Sequence, residues 1–195
     1  MRNYVDILES QLSKVNLTTM KNKNNNPINN VDLIHRKRTL SRLMAVQIFY
    51  QFEFLEQNDE AKISLEKVAE NVIDHYALTP EDNIKSYRSK IDEELIQSLT
   101  SGVNASKIKL DDAIKPFLNN DSKTEKLENL LWQILRFGAF ELQFITDTSL
   151  KIIINEYLDI ASFFFPEKQV KFVNSILENL AKKYRAEEFS QIKKS

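Results

Sequence analysis

The chain has 195 residues, 42% hydrophobic and 28% charged, with two glycines, four prolines, no cysteine and a formal net charge of −1. That length suits one packed domain plus an extension; the missing cysteines exclude disulfides, thiolate nucleophiles and cysteine metal sites, and so few turn formers argue against an all-β fold. No apolar run reaches the roughly 18 residues of a membrane span, and the acids in the opening MRNYVDILESQ do not fit a secretory signal, so the cytoplasm is the expected compartment.

Charge is unevenly spread. Residues 1–50 hold eight Lys/Arg against three Asp/Glu, which leaves a mildly acidic remainder. Val5, Leu8, Leu12 and Val15 fall at helical spacing and predict a short amphipathic helix over 2–15. NKNNNPINN (22–30) has almost nothing to bury and reads as a disordered linker. These divide the chain into an N-terminal segment with its Asn-rich linker, 1–31, and a helical domain, 32–195.

The first long helix is predicted over about 32–55, with Leu40, Leu43, Met44, Gln47, Tyr50 and Phe54 along one stripe, and a second over 61–77 through Leu65, Val68, Ala69, Val72 and Tyr76. Thr79-Pro80-Glu81-Asp82 is a start signal for a third, which Gly102 is expected to end as a left-handed cap. A shorter helix follows at 104–118. Ser122-x-x-Glu125 opens the helix over 123–145, where Leu127, Leu130, Leu131, Ile134, Gly138 and Leu142 make one face and Trp132, Phe137, Phe140 and Phe144 much of another. A helix apolar on most sides is normally central, and Gly138 within it suggests a neighbouring backbone crossing close by. Helices at 149–164 and 166–187, parted by Phe165-Pro166, complete an all-α bundle of about seven.

The catalytic inventory is thin. With glycine only at 102 and 138, neither a phosphate-binding loop nor a dinucleotide fingerprint can form. His35 and His75 have no second histidine at ligand spacing. Glu93-Glu94 and Asp111-Asp112 point in different directions from their helices and read as solvated carboxylates. No enzyme activity, cofactor or metal is expected.

Arg36, Lys37, Arg38 and Arg42 sit at the predicted first turns of the first long helix, where cations oppose the helix dipole at about 0.3–1 kcal/mol each. One reading is an anion site in which guanidinium forks and free backbone N–H groups face phosphates; the other is a solvated charge run beside a linker. On the first reading, replacing Arg38 and Arg42 by alanine lowers RNA affinity without lowering the melting temperature.

Several stretches together resemble the NusB family. HRKRTLSRLMAVQIFYQFEF resembles its arginine-rich opening helix, with Ala45, Gln47 and Tyr50 in its core pattern; ILRFGAFEL (134–142) resembles its central helix. KIIINEYLDIA and VKFVNSILENLA resemble its last two helices, with Lys151, Asn155-Glu156 and Lys171-Phe172-Val173-Asn174 at matching positions, and LDDAIKPFL (110–118) fits the helix between. The resemblance covers about 35–187.

It implies an all-α fold of two packed helical halves and a transcription antitermination factor. Such a factor binds boxA-type single-stranded RNA, usually with the small-subunit ribosomal protein NusE, and joins the RNA polymerase elongation complex, notably on ribosomal RNA operons. By position, Arg36, Lys37, Arg38, Arg42, Lys171 and Phe172 would contact RNA, with one family arginine replaced by Thr39. Tyr50, Leu131 and Trp132 would face the protein partner, although Leu131-Trp132 replaces a usual acid–base pair and Lys168 a usual acid. Homodimerisation is left open. Two alternatives remain: the NusB-like domain of a ribosomal RNA cytosine methyltransferase, which would need a following cofactor domain, and a helical protein-interaction scaffold.

Overall fold

The computed structural model describes residues 30–57, 63–77, 90–118 and 128–192, with backbone alone for 30–36, 75–77 and 192. The predicted helix over 2–15, the Asn-rich linker, the Thr79-Pro80 start and the Ser122 capping box lie outside the described residues, as do the side chains of His35 and His75. Seven α-helices are described, and no strand occurs among these residues: α1 (Asn30–Gln57), α2 (Leu65–Ala77), α3 (Glu93–Ile114), α4 (Asn129–Phe144), α5 (Leu150–Phe164), α6 (Glu167–Tyr184) and α7 (Ala186–Ile192). A single 3-10 turn, Lys115–Phe117, follows α3 at Pro116.

Short polar side chains start α2, α3 and α5. Ser64 accepts from the Lys67 N–H at 3.2 Å, Asp92 from the Leu95 N–H at 3.1 Å and Ser149 from the Ile152 N–H at 3.4 Å, each satisfying a donor that the first helical turn leaves over. Pro166 breaks the chain between α5 and α6. Arg185 ends α6 and also holds the corner between α4 and α5. Its guanidinium donates to the carbonyls of Leu142 at 3.1 Å, Thr148 at 2.7 Å and Ile145.

Helix α4 packs against α1, α3, α5 and α6, joining the first three helices to the last three. From Leu130 to Leu142 only Trp132 is more than slightly exposed, the enclosure expected of a helix apolar on most sides. Helix α1 is enclosed too. Every residue from Leu40 to Tyr50 is buried, including Ser41 and Arg42, whereas one apolar stripe was expected; Phe54, placed on that stripe, is 44% exposed.

Both glycines differ from expectation. Gly102 does not end a helix, because α3 runs unbroken from Glu93 to Ile114. A Cβ at Gly102 would lie 2.2 Å from Phe140 Cζ, so the glycine makes room for an aromatic ring of α4. At Gly138 the neighbours are side chains rather than backbone: a Cβ would meet Leu177 Cδ2 at 2.7 Å and Tyr157 Cδ2 at 3.4 Å.

Candidate nucleic-acid interface

The basic cluster divides into an exposed part and a buried one. Arg38 is exposed and Lys37 half-buried, and neither is ion-paired among the described residues; of Arg36 only the backbone is described. Because α1 begins at Asn30, these residues lie in its second and third turns. Their N–H groups are already within the helix, so the expected contribution of free amides to an anion site is absent here.

Arg42 points the other way. Its guanidinium is 2% exposed and donates to both oxygens of Glu141 on α4, at 2.8 and 2.9 Å, and to Glu156 on α5 at 3.4 Å. The Thr39 hydroxyl donates to the other Glu156 oxygen at 3.1 Å, and the buried Tyr157 hydroxyl donates to Glu141 at 2.6 Å. Burial alone would lower the Arg42 pKa, but the hydrogen bond and charge of Glu141, aided by Tyr157 and Glu156, outweigh it and hold the guanidinium protonated above its usual range. Burial, then the Glu141 charge, push the Tyr157 phenol well above its usual value. As an RNA-contacting side chain Arg42 is therefore corrected: its fork is occupied by two carboxylates. What it does is tie α1 to α4 and α5 one turn below Arg38.

Ser41 fastens the same stretch to α3. Its hydroxyl donates to the Lys37 carbonyl at 2.8 Å and accepts from the Asp92 N–H at 2.7 Å. Lys37 and Arg38 thus project from a segment anchored to three helices.

Lys171 and Phe172 lie on α6. Lys171 is exposed and pairs with exposed Glu167 at 2.7 Å, a contact that water weakens. Phe172 is half-buried and packs against the core. Among the described residues no hydrogen bond or ion pair joins this pair to Lys37 or Arg38.

The partner-facing expectations also change. Tyr50 and Leu131 are 7% and 5% exposed, so both are built into this chain's own core. Trp132 is half-buried; its indole N–H donates to Asp111 at 3.1 Å and its ring stands 5.6 Å from the Arg136 guanidinium. Arg136 in turn holds Asp111 at 2.6 and 2.7 Å and Glu53 at 2.8 and 2.9 Å, and Lys107 reaches Glu53 at 2.5 Å. Asp111 is thus a structural ion-pair partner rather than a solvated carboxylate, while Asp112 faces outward to Lys115.

Sequence reasoning missed both buried networks. A signal was present: Arg136 and Glu141 are charges in a helix apolar on most sides, and buried charges require partners.

The profile of the NusB family matches residues 39–182. The chain belongs to the NusB family. It is 33% identical over 154 residues to a protein of Rickettsia massiliae named transcription antitermination protein NusB, covering 76% of this chain and 93% of that one. A Brucella anthropi protein of the same name is 34% identical over 161 residues, covering 83% and 91%. A solved structure of NusB from T. maritima superposes with a TM-score of 0.58 at 27% identity, covering 78% of this chain and 96% of that one. The NusB match begins at Thr39, so half-buried Lys37 and exposed Arg38 lie just ahead of it and the anchoring residues Ser41, Arg42, Glu141 and Glu156 lie within it. No helix among the described residues is long and apolar enough to cross a membrane.

Proposed function

We propose that this chain is a non-enzymatic transcription antitermination factor. It binds boxA-type single-stranded RNA together with NusE, and acts on the RNA polymerase elongation complex, notably on ribosomal RNA operons. The observation that carries the reading is the division of the basic segment: Lys37 and Arg38 lack acidic partners among the described residues, while Arg42 directly below them is locked to Glu141 and Glu156. Supporting it, the relatives matched over most of their length are named transcription antitermination proteins.

Lys37 and Arg38, with Arg36, neutralise phosphates; exposed Lys171 adds a fourth cation once its surface pair with Glu167 opens. Phe172, half-buried, supplies an aromatic contact. So few phosphate contacts give modest, salt-dependent affinity, and sequence choice comes from the bases. On the NusE side, the exposed part of Trp132 is the remaining candidate.

Fluorescence anisotropy of a labelled boxA-like RNA, with a scrambled RNA alongside and with or without NusE, tests this reading. Preference for the boxA-like RNA that tightens with NusE is expected. Equal affinity for both RNAs and no gain from NusE would overturn it.

A further inference from the structure

The last turn of α4 carries an aromatic ring that its helix does not bury. Phe144 is 41% exposed, whereas Phe137 and Phe140 on the same helix are 0% and 8% exposed. Its ring is held in place. Phe140 stands 5.1 Å away at 38°, and Phe140 itself rests against Gly102 of α3. The Lys109 ammonium lies 5.0 Å from the Phe144 ring centroid. Lys107, Lys115 and Lys171 each have a carboxylate within reach; Lys109 has none among the described residues. Lys109 also lines a shallow groove with Asn104 and exposed Ile108.

The position of this pair follows from how α1 and α4 pack. Arg42 meets Glu141, Phe49 meets Phe137 at 5.7 Å and Glu53 meets Gln133, so the two helices run antiparallel. Arg38 lies one turn beyond Arg42 on α1, and Phe144 about one turn beyond Glu141 on α4. Exposed ring and exposed cations therefore occupy the same end of the helix pair.

We propose that Phe144 and Lys109 form a stacking platform for single-stranded RNA, the base resting on the Phe144 ring and the Lys109 ammonium meeting the adjoining phosphate. The inference rests on the RNA-binding reading above and adds to it a site on α3 and α4. A cation beside an exposed aromatic ring is the pairing that single-stranded nucleic acids use, since every base has a π-face and every nucleotide a phosphate. A protein partner with an apolar face would instead have to bury the Lys109 charge beside the ring without an acid to meet it. RNA brings the anion with it.

Four variants test the platform by anisotropy with the boxA-like RNA, after melting curves show that each folds. Phe144→Ala and Phe144→Leu are expected to weaken RNA binding about tenfold with an unchanged salt slope, because stacking is lost and no phosphate contact is. Lys109→Ala is expected to reduce the salt slope by about 0.7. In Phe144→Trp the affinity is kept and the added indole emission, read against that of Trp132 in the wild type, is quenched by RNA. Wild-type affinity in Phe144→Ala together with unquenched Phe144→Trp emission would overturn the platform while leaving the RNA-binding reading intact. So would loss of NusE binding or self-association by Phe144→Ala with RNA affinity unchanged, which would make the ring a protein-docking residue. Failure of the wild-type protein to bind RNA at all would overturn both.

Discussion

Arg38 and Arg42 are four residues apart on one helix, yet their surroundings give them opposite roles. Arg38 faces water, where a guanidinium keeps its hydration until an anion replaces it. Arg42 has lost that hydration and depends on Glu141 and Glu156. Removing one partner of a buried ion pair leaves the other uncompensated, at a cost of about 3–5 kcal/mol. Tyr157 completes the group through Glu141. Its raised pKa means that the native state keeps the phenol proton after the unfolded chain releases it at about pH 10. The unfolded state then binds fewer protons, so this contribution to stability is present below that pH and is lost as pH rises above it. Tyr157→Phe is expected to cost about 1 kcal/mol at neutral pH and to melt with a shallower decline above pH 10 than the wild type. Parallel alkaline declines would show that Tyr157 contributes nothing to the pH dependence.

Among the helices, the periodicity of apolar residues located α1, α2, α5 and α6 well, and α4 apart from its start, which falls at Asn129 rather than 123, because each carries a continuous apolar face. It could not tell a helix enclosed on all sides from one half-buried, and so the stretch Leu40–Tyr50 read as a stripe. Gly102 read as a stop because local signals contain no information about a ring arriving from a helix more than thirty residues later. The Phe140 contact makes a direct prediction. Gly102→Ala gains about 1 kcal/mol of helix propensity but overpacks against Phe140 by about 1–3 kcal/mol, so its melting temperature should fall, and adding Phe140→Leu should restore it. A rise in the single variant would show that the ring moves aside freely. The corner between α4 and α5 was equally invisible, since Arg185 reaches it from about forty residues away. Arg185→Ala strips donors from three carbonyls and is expected to cost about 1–3 kcal/mol, with faster amide exchange over Ile145–Leu150 as the measurable sign; unchanged exchange there would make the contacts incidental.

The whole molecule uses α1 and α4 as an antiparallel pair enclosed by the other helices, with one buried charge network toward each end. The Arg136–Glu53–Asp111 group joins α1, α3 and α4; the Arg42–Glu141–Glu156 group joins α1, α4 and α5 and sits beneath the exposed cations. The candidate site was therefore legible in the sequence as a basic segment, but not which of its cations were available, because that depends on acids about a hundred positions away. The most direct measurement compares Arg38→Ala with Arg42→Ala in two assays, thermal melting and RNA anisotropy at two salt concentrations. Arg38→Ala is expected to melt like the wild type and to bind RNA more weakly, with a salt slope reduced by about 0.7, whereas Arg42→Ala is expected to lose about 3–5 kcal/mol of stability. An Arg42→Ala protein that melts normally while losing RNA affinity, or an Arg38→Ala protein with wild-type affinity and salt slope, would contradict that expectation.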